Sequence, residues 1–165
     1  MKEKIKDKSG FSISEMLMVV MILALIIVVL GSGVMVVKNA YEKITLKAEA
    51  QTLLSTTIAK VSDEFRYSRY IDDDETPVKF ASGNLGYKIW FENGHGADGK
   101  KGILVCNGTG TSVQLLTDKT MTDGLTPSIT YGYDKDKNLF CGTITITGRD
   151  NEKFLEQEIK VEPIN

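Results

Sequence analysis

The chain has 165 residues, 22 of them acidic and 20 basic, for a formal net charge of -2, and 42% are hydrophobic. That length suits one globular domain with an anchor, and a balanced charge without a basic patch gives nucleic-acid binding no electrostatic support. The single histidine, His95, excludes a histidine-based metal cluster within one chain, and no cofactor is expected.

Residues 1–10, MKEKIKDKSG, carry Lys2, Lys4, Lys6 and Lys8 against Glu3 and Asp7. This excess of positive charge holds the segment on the cytoplasmic side of a membrane and places the residues beyond the next apolar run outside. That run lies within residues 9–37, SGFSISEMLMVVMILALIIVVLGSGVMVV. Between Gly10 and Lys38 the only ionisable side chain is Glu15, and residues 16–37, 22 in number, carry no charge. As a helix the run is about 33 Å long at the usual rise per residue, enough to cross a hydrocarbon core of roughly 30 Å. Only helical bonding satisfies a backbone there, so one membrane-inserted helix is expected.

The flanks of the run are informative. A secretory signal has an apolar core of only ~7–15 residues, with its small-residue cut site after the core. Here the core is longer, and the small pair Ser9-Gly10 precedes it. A cut after Gly10 would release the polar leader alone and leave Phe11 as the new N-terminus, with Glu15 the fifth residue of the shortened chain. An ordinary single-pass anchor has no use for that carboxylate, which costs roughly 2.5–3.5 kcal/mol at a bilayer centre and less near the interface.

In its Lys-rich leader, Gly10, Phe11 and the segment FSISEMLMVVMILALIIVVL with its glutamate at Glu15, the chain resembles the type IV prepilins and the related pseudopilins and competence pilins. The resemblance covers about the first 40 residues. It implies cleavage between Gly10 and Phe11 by a prepilin peptidase, and methylation of the Phe11 amine by the same enzyme. It also implies that Glu15 meets the N-terminal amine of a neighbouring subunit during assembly. Physical logic supports that last role, because a buried carboxylate needs a cationic partner, and breaking such a pair costs ~3–5 kcal/mol. Many members of the family have a helix-breaking proline near Gly31-Ser32-Gly33, and this chain has none. Its two glycines, each costing about 1 kcal/mol relative to alanine in a helix interior, mark either a bend or a site of close helix packing.

From Lys38 the composition becomes mixed. Leu46, Ala50, Leu54, Ile58, Val61 and Phe65 recur at spacings that place them on one helical face. The helix is therefore expected to continue as an amphipathic half to about Tyr70. It should stop before Asp72-Asp73-Asp74-Glu75, because acidic residues sit badly at a helix C-terminus. After Pro77 short strands alternate with turn residues. Strands are expected over 85–91, 103–106, 112–116, 129–133, 139–147 and 154–161, with 92–102 (ENGHGADGKKG) as a glycine-rich loop. In the last hairpin Ile144 and Ile146 alternate with threonines, which reads as one buried and one wet face.

The expected fold class is α+β: a long N-terminal helix packed on a C-terminal antiparallel β-domain, in one sheet or folded into two. The divisions are leader 1–10, membrane and filament-core helix 11–38, amphipathic helix 39–71 and β-domain 72–165. With the resemblance, this is the type IV pilin architecture. The expected function is a structural, non-enzymatic filament subunit whose partners are other pilins, the prepilin peptidase, the pilus assembly machinery and, before assembly, the cytoplasmic membrane. A membrane-anchored extracellular binding module that never polymerises is the alternative. Cys106 and Cys141, on the extracytoplasmic side, are a candidate disulfide pair, with buried free thiols as the other possibility. His95, in NGHGADG, reads as a solvated loop residue. The acidic runs at Asp72–Glu75 and at Asp134 and Asp136 lack EF-hand spacing and read as solvated loops rather than calcium sites.

Overall fold

A computed structural model describes residues 10, 12–95, 100–117, 124–148 and 152–164. Among these residues are one helix, α1 (Ile13–Arg66), and eight strands: β1 (Ser68–Asp72), β2 (Lys79–Ser82), β3 (Lys88–His95), β4 (Lys101–Asn107), β5 (Ser112–Gln114), β6 (Thr126–Asp134), β7 (Leu139–Thr147) and β8 (Lys153–Val161). The layout is α+β. The chain forms two compact units, Met1–Thr45 and Leu46–Asn165.

Within Leu46–Asn165 every strand pairing is antiparallel, and the strands form two sheets with orders β1-β2-β3-β4-β5 and β6-β7-β8. The main core draws Val61 and Phe65 from α1, Phe80, Ile89, Phe91 and Ile103 from the first sheet, and Ile129, Phe140, Ile144, Ile159 and Val161 from the second. Phe65 lies at its centre. Its ring stacks on Phe140 at 4.3 Å and meets Phe80 and Phe91 edge-on at 5.6 and 5.5 Å. A smaller cluster of Ala50, Leu53, Leu116, Leu125 and Ile146 lies beside it.

Side chains of Asn93 and Tyr131 join the sheets. The Asn93 carboxamide donates to the Ile129 carbonyl and accepts from the Ile129 N–H, both at 2.8 Å, and so behaves as an extra backbone amide between β3 and β6. The Tyr131 hydroxyl accepts the Phe91 N–H and donates to the Val78 carbonyl, each at 2.9 Å. It stands where the β2–β3 ladder gives out beyond the Phe80–Ile89 pair.

The helix stripe is present but shifted. The buried positions are Ala50, Leu53, Thr57, Val61 and Phe65, while Leu46, Leu54 and Ile58 are half-buried flanks. Thr57 takes a core position because its hydroxyl donates to the Leu53 carbonyl at 2.7 Å, which satisfies its polar atom within the helix. The helix ends at Arg66, not near Tyr70. The Ser68 hydroxyl turns back onto the Phe65 carbonyl at 2.8 Å, and Ser68 opens β1. The β-domain therefore begins before residue 72, and the amphipathic helix does not extend to 71. Two strands, β1 and β2, were not expected: each is short, and they are held as strands by pairing, β1 with β2 and β2 in turn with β3. The glycine-rich loop is also shorter than expected, because Asn93, Gly94 and His95 pair with Ile103, Gly102 and Lys101. The other expected strands are present with modest changes of extent, and 139–147 keeps the bounds read from the sequence.

Candidate functional site

The candidate site is the N-terminal end of α1 and the apolar surface beyond it. Gly10 is exposed and lies outside the helix. Residues 1–9 and Phe11, which include the partner residue of the expected cleavage site, are outside the described residues. Ser12 is the N-cap of α1: its carbonyl accepts the Met16 N–H at 3.1 Å, the first helical bond. Its own N–H donates to the Glu15 carboxylate at 2.9 Å, and its hydroxyl lies 2.8 Å from that of Ser14.

Glu15 is thus the third helical residue reaching back to the N-cap amide, one half of a capping box. An acid there also opposes the positive end of the helix dipole. Reading the sequence for membrane crossing missed this local role, although the S-x-x-E pattern of Ser12 and Glu15 before an apolar run was available to find it. The structure brings Glu15 within hydrogen-bonding distance of the backbone two residues from Gly10. It keeps a single acid at the head of the helix, as the sequence indicated.

Beyond Glu15 the helix is apolar on all sides. Its apolar window has a mean hydropathy of 3.0, none of it is buried, and it is long enough to cross a membrane. A helix apolar all round belongs in lipid or among other apolar helices. It runs unbroken through Gly31 and Gly33, with the Ser32 hydroxyl donating to the Val29 carbonyl at 2.9 Å. A Cβ at either glycine would meet nothing within 4 Å. Charge returns at Lys38, which pairs with Glu42 one turn later at 3.8 Å.

The expected bridge between Cys106 and Cys141 is not formed; both are free thiols. The cause is strand geometry. Cys106 on β4 follows Val105, and Cys141 on β7 follows Phe140, and both of those neighbours pack in the main core. Alternation along a strand turns each cysteine to the opposite face, on two different sheets. Cys106 is paired across the ladder with Trp90 and Ser112, and Cys141 with Gly132 and Lys160. Burial, reinforced by the neighbouring Glu92 carboxylate, pushes the Cys106 thiol up to about 11. A thiol that stays protonated at neutral pH is a poor nucleophile.

The acidic runs are occupied by lysines. Asp72 pairs with Lys88, Asp73 with Lys135, Glu75 with Lys79, and Asp134 with Lys137. Hydrogen bonds from those lysines hold Asp72, Asp73 and Asp134 below the usual carboxylate range. Among the described residues no group of three or more histidine, cysteine, aspartate or glutamate side chains is placed to hold a metal ion. Comparison with family models, curated proteins and solved structures finds no match to this chain.

Proposed function

We propose that the chain is a structural subunit of a type IV pilus or related pilin-like filament, assembled after a prepilin peptidase cuts between Gly10 and Phe11. One observation carries the reading: a 22-residue uncharged helical segment, exposed on all sides, headed by a single acid and preceded by a lysine-rich leader that ends at Gly10. Before assembly the apolar helix resides in the membrane, with the leader cytoplasmic and the Leu46–Asn165 unit outside. After assembly the same surface packs against copies of itself or other pilins, and open head-to-tail contacts of that kind propagate into helical filaments. Cleavage creates a cationic amine at Phe11, and Glu15 of a neighbouring subunit is its partner.

The deciding experiment is the intact mass of the membrane-extracted protein from its native host. A mass lacking residues 1–10 and carrying one added methyl group is the expected result. An unprocessed mass would remove the pilin reading and leave a membrane-anchored extracellular module. Gly10→Val sharpens the test: the variant should accumulate as uncleaved precursor and form no filaments.

A further inference from the structure

The junction between α1 and β1 carries an exposed cluster well beyond the uncharged segment of the helix. Arg66, Tyr67, Arg69 and Tyr70 are all exposed within five residues, Tyr67 at 45% and Tyr70 at 89%, and Ile164 is exposed beside them. Among the described residues neither arginine has an ion pair or a side-chain hydrogen bond. Tyr70 has a φ of 47°, in the left-handed region, at a register shift in the β1–β2 ladder. A bulky non-glycine residue rarely adopts that conformation, and strain of this kind collects at functional positions.

The backbone beneath the cluster is fixed. The Arg66 carbonyl accepts the Ile164 N–H at 2.7 Å, tying the C-terminal segment to the helix end. Gly83 lies so close that a Cβ there would meet the Tyr67 carbonyl oxygen at 2.3 Å. Arg69 and Tyr70 thus project from the edge strand β1, and Arg66, Tyr67 and Ile164 from the anchored backbone that adjoins it. Exposed tyrosine and unpaired arginine on a preorganised backbone is the composition of an interface centre.

We propose that Arg66, Tyr67, Arg69, Tyr70 and Ile164 form a contact surface for a second copy of this chain, an inference that rests on the filament reading above. Charge complementarity selects that occupant. The Leu46–Asn165 unit holds more Asp and Glu than Lys and Arg, while this patch presents two uncommitted arginines. Its acidic runs are taken up by lysines, but Glu152, Glu158 and Glu162 are exposed and, among the described residues, have no ion pair, so these acids on one copy complement the two arginines of the next. Unlike surfaces meeting in this way generate a heterologous contact that propagates rather than closes.

The test is sedimentation of the full-length protein in detergent at low salt, for the parent, the Arg66→Gln/Arg69→Gln double variant and Tyr70→Gly. The parent should show concentration-dependent association that weakens with added salt. The double variant should lose at least about tenfold in association constant, the effect expected of hot-spot residues, while melting at the parent temperature. Tyr70→Gly relieves the left-handed strain, so it should melt at or above the parent temperature and yet associate more weakly. A purely structural Tyr70 would not separate those two readouts. A parent that is monomeric at every concentration, or variants that associate as the parent does, would overturn the proposal. Intact mass and filament imaging on the same samples report on the pilin reading separately: processed filaments with unaltered association in both variants would sink only the patch.

Discussion

Replacing Tyr131 by Phe removes one oxygen atom and keeps the ring. In the parent that oxygen satisfies two backbone groups at once, the Phe91 N–H and the Val78 carbonyl, each at 2.9 Å. The phenylalanine ring fills the same volume and leaves both groups without a partner. An orphaned buried polar group costs about 1–3 kcal/mol. With Val78 and Phe91 both buried, the expected loss is about 2–4 kcal/mol, a large share of the roughly 5–15 kcal/mol that holds a domain folded. A pH signature accompanies the loss. Burial pushes the Tyr131 hydroxyl up to about 12 from its ordinary value near 10. The unfolded chain therefore releases this proton first as pH rises. The stabilisation is complete below pH 10 and is lost between pH 10 and 12. At about 1.4 kcal/mol per pH unit, that component is about 2–3 kcal/mol. The assay is urea unfolding of parent and Tyr131→Phe at pH 7, then at steps from pH 9 to 12. The difference between the two proteins should be largest at pH 7 and shrink above pH 10. A difference below about 0.5 kcal/mol at pH 7, with equal m-values, would show that the hydroxyl is not the bridge described.

Other substitutions probe the remaining parts. Phe65→Ala removes the ring shared by both sheets and should cost about 3–5 kcal/mol, read as a lower urea midpoint; a loss under 1 kcal/mol would mean that the aromatic cluster is not the core. Thr57→Val should be close to neutral, because the hydroxyl bonds only to a carbonyl that the helix already uses; destabilisation beyond about 1.5 kcal/mol in a thermal melt would point to a partner that the fold does not show. In the folded protein, iodoacetamide should label half-buried Cys141 well before buried Cys106, followed by peptide mass mapping; equal rates would contradict the burial and the raised thiol pKa of Cys106. Glu15→Gln keeps an oxygen for the Ser12 N–H and loses the charge, whereas Glu15→Ala loses both. Under the filament reading neither should yield filaments in electron micrographs, and wild-type yields from Glu15→Gln would dismiss the charge as the registration element.

Much of the fold was legible because its signals are local or periodic. The uncharged run announced α1, and the threonine–isoleucine alternation of 139–147 fixed β7 to the residue. Leu53 and Thr57 were passed over because a polar residue in a helical stripe reads as a break until its hydroxyl is seen turned back on the helix. β1 and β2 were missed because strands this short take their stability from the strands they pair with and not from their own composition. The disulfide expectation rested on count and compartment. Pairing depends on which faces the two strands turn toward each other, and no cysteine spacing encodes that. The joining of the sheets by Asn93 and Tyr131 was equally hidden, since each acts across about 40 residues of sequence. At the candidate site the residues themselves were all in view. What escaped was the backbone geometry between Ser12 and Glu15.

That short bond changes how the acid should be understood in time. The Glu15 carboxylate is already engaged in the isolated chain, by the Ser12 amide at 2.9 Å. That bond uses one carboxylate oxygen, Oε2, and leaves the charge in place. Under the filament reading, a neighbour's amine would meet the other oxygen without breaking the cap. The Ser12 amide would then fix the direction of the acid before any neighbour arrives, so little freedom would be lost in orienting it on contact.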